Sequence, residues 1–176
     1  MRTLPVALAA LAITTTLTAA AALTYTAPTG WVSRTPASAM RVAEWTLPNA
    51  PADTDDTLVT LYFFGANMGG NAQANIDRWI GQMAQPDGAS SASRAKTSTG
   101  TTTSGLKFTR VDVTGTYVAE VTPGASEHFN KPGWRQIAAL IETPGGPYFV
   151  KAIGPAATLA KWEASVTAFI TSISYK

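Results

Sequence analysis

Residues 134–153 read WRQIAALIETPGGPYFVKAI, and the fold prediction starts from this stretch. It contains two apolar segments, 134–142 and 147–153, on either side of Pro144, Gly145 and Gly146. A proline and two glycines between apolar segments indicate a tight turn. Strands joined by so short a turn pair antiparallel. We therefore predict a β-hairpin that ends where Gly154 and Pro155 interrupt the second strand.

Further strands are predicted upstream of this hairpin. Their ranges are 30–33, 40–47, 58–64 and 106–113. Residues 58–64 are dense in β-branched and aromatic side chains, which favour strands. The Ser/Thr/Gly-rich stretch 87–105 fits a flexible loop, but its threonine-rich part, 97–103, favours an edge strand in a hairpin with 106–113. Gly115 predicts a bulge or bend in the strand that follows.

Two segments have the apolar spacing of amphipathic helices. The first covers 71–83, begins at a predicted N-cap Asn71, and carries Ala72, Ile76, Trp79, Ile80 and Met83 on one side. The second covers 157–174 and carries Leu159, Trp162, Val166, Phe169, Ile170 and Ile173. A sheet supplies the apolar surface that such helices cover. The sequence thus predicts an α+β fold in which two main helices flank a central antiparallel sheet, as one domain over 23–176.

The N-terminus has the three-part pattern of a secretory signal. Met1 and Arg2 form a positive end, 4–13 is a short apolar run, and 19–22 is four alanines. We expect cleavage before Leu23 and export of a bacterial protein to the periplasm or medium. The alternative is an uncleaved anchor, but threonines interrupt the apolar run, and a spanning helix needs about 20 mostly apolar residues. We expect no membrane span after signal removal.

Composition excludes several function classes. The 176 residues include no cysteine and one histidine, so thiolate chemistry, disulfides, a lipoprotein anchor and Cys-ligated zinc are ruled out. Formal net charge is only +2 and no Lys/Arg run occurs, which argues against nucleic-acid binding. We predict no catalytic residue, no metal site and no cofactor.

The glycine-rich loop before the first helix is a candidate anion site. Gly65 and Gly70 have the strand–GxxxxG–helix spacing of a phosphate loop. The next two residues are Asn71 and Ala72 rather than the required lysine and Ser/Thr, so the nucleotide interpretation fails. The free amides of a helix N-terminus can still hold an anion. The alternative is that Gly69 and Gly70 simply make a tight turn.

A polar stripe follows on the same helix. Asn71, Asn75, Arg78 and Gln82 are spaced four, three and four residues apart and so share a face. One interpretation is structural, with Arg78 binding a carboxylate such as Asp112. The other expected partner of Asp112 is Arg110. The others are a ligand- or partner-binding face and plain solvation. Together with Gly69 and Gly70, these four residues form the predicted ligand- or partner-binding set.

Three further groups are interpreted as solvated or structural rather than as functional sites. His128 is predicted to be an exposed loop histidine, because no Gly-x-Ser-x-Gly elbow accompanies it. Asp53, Asp55 and Asp56 lie together but lack the ligand spacing of a calcium loop, so we expect a solvated, turn-forming cluster. The five tryptophans are expected to pack in or near the core rather than to form a sugar-binding platform.

The chain resembles the PsbP-like superfamily of α/β/α sandwiches over about 29–175. The residues that carry this resemblance are the early strand with Trp31, the hairpin 137–142 and 148–153, and a closing helix with Trp162 and Phe169. That superfamily includes an oxygen-evolving-complex subunit of photosystem II and the Mog-type Ran-binding proteins. The resemblance implies a scaffold for protein association, without enzyme activity or a fixed cofactor.

A more local similarity covers 64–82 and 111–117, which resemble a group of uncharacterised exported bacterial proteins. The expected function is accordingly an exported, non-enzymatic accessory or association domain whose partner is another envelope or secreted protein. The alternative is a protein that binds a small anionic or polar ligand through the glycine loop and the polar helix face.

Overall fold

The computed structural model describes residues 23–66 and 70–176. The predicted signal, residues 1–22, lies outside the described residues. The strands are β1 (Leu23–Thr24), β2 (Val32–Arg34), β3 (Arg41–Leu47), β4 (Thr57–Phe63), β5 (Met83–Ala84), β6 (Lys96–Thr101), β7 (Lys107–Tyr117), β8 (Lys131–Ile141), β9 (Tyr148–Pro155) and β10 (Ser174–Tyr175). The α-helices are α1 (Ala72–Gly81) and α2 (Ala156–Ser172), and Ser91–Ser93 forms a short 3₁₀ helix.

Within the described ranges the strands form an eight-stranded sheet and a separate two-stranded pair. The main sheet has the order β2-β3-β4-β9-β8-β7-β5, with β6 also pairing with β7. Each of these pairings is antiparallel. The strand β1 pairs with β10 and thereby ties Leu23 to the C-terminal end of the chain. The prediction of a sheet-dominated α+β fold is confirmed.

The two predicted hairpins are present. The first pairs β8 with β9. The second pairs β6 with β7, so the flexible-loop alternative for this part of the chain is wrong. The register between β7 and β8 shifts between Gly115 and Tyr117, which confirms the predicted irregularity. The expected end of β9 is wrong, because Gly154 and Pro155 still pair with Arg135 and Trp134.

Alternate residues of β8 point to opposite faces of the sheet. Ile137, Ala139 and Ile141 belong to a core cluster with Phe169 and other residues of α2. Ala138 and Leu140 belong to a different cluster with Ile76 and Trp79 of α1. Each helix therefore packs against a different set of strand residues. Met83, predicted on the stripe of the first helix, lies in β5 instead, because α1 ends at Gly81.

The helix α2 differs from its prediction at one position. Leu159, Val166, Phe169, Ile170 and Ile173 are buried as expected. Trp162 is only partly buried, and its indole Nε1 donates to the carbonyl of Pro48 at 2.8 Å. Its ring thus packs at the margin of the core, with its polar edge bonded to the loop that follows β3.

In the described part of the chain, neither helix is long and apolar enough to cross a membrane.

Candidate ligand-binding cleft

A cleft opens beside α1, on the face of the sheet that this helix packs against. It holds a cavity of about 440 Å³, which we call the basic cavity. Its lining comes from α1, β3, β4, β9 and nearby loops: Ser38, Met40, Arg41, Tyr62, Phe64, Arg78, Trp79, Gln82, Pro123, Phe149 and Lys151. Three of these residues are cationic and none is a carboxylate, so the walls favour an anionic guest.

Lys151 lies in the middle of β9, and its ammonium points into this cleft. Its Nζ donates to Oε1 of Gln82 at 2.7 Å and to the hydroxyl of Tyr117 at 3.3 Å. The same atom lies 5.1 Å from the centre of the Tyr117 ring. Burial, together with the positive charges of Arg78 and Arg41, lowers the pKa of Lys151 from 10.5 to about 7.

Arg41 forms the wall of the cleft that β3 supplies. Its Nη1 donates to Oε2 of Glu44 at 2.5 Å, and Glu44 is buried. The guanidinium also lies 5.7 Å from the centre of the Tyr62 ring. Because Glu44 occupies one side of this guanidinium, Arg41 is held rigidly beside the cavity while part of its charge is offset.

The polar stripe of α1 divides into two functional pairs. Asn71 caps the helix, since its Oδ1 accepts from the amide of Ala74 at 2.8 Å. Asn75 is buried, and its Nδ2 donates to the carbonyl of Asn71 at 3.0 Å. Arg78 and Gln82 instead line the basic cavity. The N-terminal pair therefore builds the helix end, and the C-terminal pair faces the cleft.

Arg78 is exposed but not free to swing. Its Nη2 donates to Oδ1 of Asn75 at 2.8 Å, and Asn75 is anchored in turn on the helix backbone. This chain of bonds presents an oriented guanidinium at the mouth of the cleft. A guanidinium with an oriented planar fork matches a carboxylate or phosphate.

The glycine loop lies at the other end of α1. Gly70 has a φ of +68°, a conformation that favours glycine, and it directly precedes the N-cap Asn71. Gly70 is exposed and does not line the basic cavity. Gly69 lies outside the described residues.

Of the two partners expected for Asp112, Arg110 is confirmed and Arg78 is wrong. Asp112 pairs with Ile137 across the β7–β8 ladder, on the α2 side of the sheet. Its carboxylate accepts from Arg135 Nε at 2.8 Å and Nη2 at 2.6 Å, and from Arg110 at 2.8 Å. Burial opposes ionisation, but the bonds and charges of both arginines hold the pKa of Asp112 below its usual value. Arg78 instead donates to Oδ1 of Asn75.

A second cavity of about 450 Å³, which we call the aromatic cavity, adjoins the first. Tyr117 forms its wall, stacked against Phe129 at 5.3 Å and against Trp134 at 5.6 Å between ring centres. Lys151 and Arg41 line both cavities. The aromatic cavity also has two carboxylates on its wall, so its charge is more balanced than that of the basic cavity: Asp56 and Glu120.

His128 is exposed, as predicted, and its Nδ1 lies 2.9 Å from the carbonyl of Val118. A backbone carbonyl only accepts, so this contact fixes the proton on Nδ1. The residue lines a shallow opening next to Arg78 and Gln82.

The three clustered aspartates bond to three different partners, and the expectation of a solvated cluster is wrong for Asp53. Asp53 accepts from the amide and hydroxyl of Thr158 at 2.9 and 2.6 Å. Asp55 binds Lys131, and the exposed Asp56 binds Arg34. Among the described residues, no group of three His, Asp or Glu side chains is placed to hold a metal ion.

Sequence reasoning missed Lys151, Arg41 and Tyr117. A signal for the first was present, because Lys151 interrupts the apolar run of 147–153 at a position that faces a helix-covered side of the sheet. A lysine is rarely buried unless it is paired, so a lysine at this position indicates a paired or functional side chain. The convergence of Arg41 and Tyr117 on it depends on strand order, which the sequence pattern does not specify.

Comparison with protein-family models and with curated proteins finds no match to this chain.

Proposed function

We propose that this protein is an exported, non-enzymatic module that binds a small anionic ligand in the basic cavity. This proposal prefers the alternative stated from the sequence, binding of a small anionic or polar ligand, but changes the set of binding residues. Arg78 and Gln82 of the polar stripe remain in the proposed site, and Arg41 and Lys151 join them. The glycine loop takes a structural role in this proposal.

The observation that carries the proposal is the unbalanced charge of the cavity. Three cationic side chains line it, and Glu44 offsets one of them. Lys151 donates only to neutral oxygen atoms in the described structure, those of Gln82 and Tyr117. A partly buried cation without an anionic partner is unfavourable, and an anion that enters the cleft relieves this cost.

The apolar part of the lining suggests the rest of the ligand. Phe64 and Phe149 contact each other at 5.3 Å between ring centres, and Trp79 packs on Phe149 at 6.2 Å. A ligand with one anionic group and a small planar or apolar body would satisfy both kinds of wall. Small-ligand sites commonly combine apolar walls with a few placed polar groups.

Isothermal titration calorimetry with three aromatic probes of similar size tests the proposal. We expect benzoate to bind, and neutral benzyl alcohol and cationic benzylamine to bind at least about tenfold more weakly, a difference of about 1.4 kcal/mol. Arg78→Gln should weaken benzoate binding. Arg94→Gln, which removes an exposed arginine paired with Asp87, should not. Equal binding of all three probes, or equal effects of both variants, would contradict the proposal.

For export, we propose that 1–22 are removed and that the mature protein starts at Leu23. The pairing of Leu23 with Tyr175 supports a mature start there, because it gives this residue a place in the fold. Mass spectrometry of protein from the envelope or medium should give this start. An intact Met1 on membrane-bound material would instead indicate an anchor.

We also propose the PsbP-like α/β/α sandwich as the fold type. Its support is that α1 and α2 pack against residues that alternate along β8. An experimental structure compared with members of that superfamily tests it, and a different strand order in the main sheet would argue against it.

Association with another envelope protein is the second candidate function. Val32, Met40 and Val42 are exposed by 54%, 52% and 42%, and they lie on or next to the edge pair β2–β3. Exposed apolar side chains near one edge favour an interface. We expect a double variant, Val32→Glu with Val42→Glu, to lose a partner captured from envelope extract, and neither residue lines the basic cavity. Thr97→Glu on the edge strand β6 serves as control, and capture that survives the double variant would remove this candidate.

A further inference from the structure

We propose that Lys151 forms a reversible imine with a small oxo acid in the cleft, where Arg78 and Arg41 attract the acid's carboxylate. This inference rests on the proposed anion-binding function and names its ligand class. It adds a covalent step that binding alone does not require.

The position of Nζ is the first support. Lys151 lines both the basic and the aromatic cavity, so a ligand can approach its amine from either side. Its hydrogen bonds to Gln82 and Tyr117 fix the amine at the junction of the cavities. A carboxylate in the basic cavity would leave the adjoining carbonyl carbon close to this junction.

Two other lysines, Lys131 and Lys161, provide a comparison. Lys131 forms an ion pair with Asp55, with Nζ 3.0 Å from Oδ1, and lies over Trp134. Lys161 is exposed on α2, with its Nζ 3.3 Å from the carbonyl of Asn49. Among these three lysines, only Lys151 is partly buried beside other positive charges and makes no ion pair in the described structure. Desolvation beside another cation is a known way of activating a lysine as a nucleophile.

Protonation favours the same residue. With a pKa of about 7, an appreciable fraction of Lys151 is the neutral amine at neutral pH. The groups that face it come from every element around the cleft: Arg41 and Glu44 on β3, Tyr62 on β4, Arg78 on α1, Tyr117 on β7, and Arg34, Asp56 and Glu120 around the aromatic cavity. Glu44 is paired with Arg41, and Asp56 is paired with Arg34. Glu120 accepts from the amide of Gly124 at 2.6 Å.

The step balances without an oxidant or reductant. The Nζ lone pair attacks the carbonyl carbon, a C–N bond forms, and the carbonyl oxygen takes up a proton to give a carbinolamine. Nitrogen loses its two protons, oxygen gains two, and the oxygen leaves as water when the C=N bond forms. Burial raises the pKa of Tyr117 to about 12, so its hydroxyl is protonated at neutral pH. It can donate this proton to the carbonyl oxygen of the ligand while it accepts one from Nζ of Lys151.

Reductive trapping on the wild-type protein tests the proposal directly. Mature protein is incubated at pH 7 with pyruvate, phenylpyruvate or acetone and sodium cyanoborohydride, and adducts are located by peptide mapping. We expect one adduct with each oxo acid, on Lys151, at least about tenfold above any other lysine because its neutral fraction is larger. Adducts spread over exposed lysines, or confined to the N-terminal amine, would overturn the proposal. Equal labelling of Lys151 by acetone would contradict the proposed role of the ligand's carboxylate.

Two variants and one competitor separate this inference from the proposed function. Lys151→Arg keeps the charge and should abolish the adduct, whereas Lys161→Met should keep it; thermal melts verify that both fold. Benzoate has no carbonyl group able to form an imine, so it should bind and protect Lys151. Benzoate binding without any oxo-acid adduct would overturn the imine and leave the proposed function intact. An adduct that benzoate neither competes with nor slows would leave the imine and contradict the anion site.

Discussion

Nζ of Lys151 lies 2.7 Å from Oε1 of Gln82, which joins the middle of strand β9 to the residue that ends α1. The backbone of Gln82 is fixed as well, because its N–H donates to the carbonyl of Arg78 and its carbonyl accepts from the N–H of Val118. The lysine thus has a rigid acceptor on one side and the Tyr117 hydroxyl on the other. This relationship makes the charge state of Lys151 depend on Gln82.

Gln82→Met should lower the pKa of Lys151 further, because the charged form loses its shorter hydrogen bond while burial is kept. The rate of acetylation of Lys151 as a function of pH, read by mass spectrometry, gives this pKa. Gln73→Met is the matched control on the same helix, since Gln73 is exposed and bonds Asp77 at 2.8 Å. A rise in the Lys151 pKa in Gln82→Met, or equal shifts in both variants, would contradict this role.

Lys151→Met should raise the free energy of unfolding most below pH 7. The pKa of Lys151 is about 7 in the folded protein, whereas its ordinary value, which applies to the unfolded chain, is 10.5. Between these two pH values the unfolded chain therefore binds more protons than the folded protein. The cost of the lysine is therefore complete below pH 7 and fades toward pH 10.5. Urea unfolding should show a gain of about 1–2 kcal/mol at pH 6 that shrinks at pH 9. Lys161→Met should show no such pH dependence, and a gain that grows with pH would contradict the assignment.

Much of the fold is readable from local patterns. The hairpin of β8 and β9 follows from two apolar runs around Pro144, Gly145 and Gly146, and α1 begins at the cap Asn71, as predicted. Strand order could not be predicted, because the pairing of β4 with β9 joins segments far apart in sequence. The end of β9 was misjudged because Pro155 keeps its place at the last ladder position, opposite Trp134.

The candidate site was only half readable for the same reason. Helical spacing correctly grouped Arg78 and Gln82, which lie one turn apart on α1. It could not show that Lys151 and Arg41 face them, since those residues come from strands on the sheet beneath. It also paired Arg78 with Asp112, because spacing along one helix does not reveal which side of a sheet a strand residue occupies.

Asp112→Asn should destabilise the protein, and the loss should shrink in acid. Arg110 and Arg135 lower the pKa of this carboxyl, so its contribution is complete above its ordinary value of 3.8 and is lost as pH falls below it. At pH 7 the variant should lose up to about 3–5 kcal/mol, with Glu163 limiting the loss by keeping its bond to Arg135. Thermal unfolding from pH 2 to 7 measures this. Asp56→Asn is the exposed control, and equal losses in both would contradict the importance of the buried cluster.

Phe169→Ala should cost more than Trp162→Ala, although both residues lie on the predicted apolar stripe of α2. Phe169 is fully buried, and its ring centre lies 5.1 Å from those of Trp31 and Trp45. Its loss should cost about 3–5 kcal/mol. Trp162 is partly buried with one bond to Pro48, so about 2 kcal/mol is expected. Urea unfolding compares them, and an equal or greater loss for Trp162 would place it in the core after all.

Asp53→Ala should destabilise the start of α2 by about 1–2 kcal/mol. The residue before this helix is Pro155, which makes no side-chain cap. Asp53 supplies the missing acceptor from a distant loop, because its Oδ2 accepts from both the amide and the hydroxyl of Thr158. A carboxylate there also interacts favourably with the helix dipole.

Asp56→Ala provides the matched control for this cap, because it removes a carboxylate from the same turn. Asp56 is exposed and lies 3.5 Å from Arg34, a contact expected to contribute at most about 1 kcal/mol. Thr158→Val keeps the amide bond to Asp53 but removes the hydroxyl, which donates to Asp53 and accepts from the amide of Ala50, so it should also destabilise the protein. Hydrogen exchange should locate the effect, with faster exchange in the first turn of α2 in Asp53→Ala alone. Unchanged exchange there, or equal losses for Asp53→Ala and Asp56→Ala, would show that the three aspartates act only as a turn.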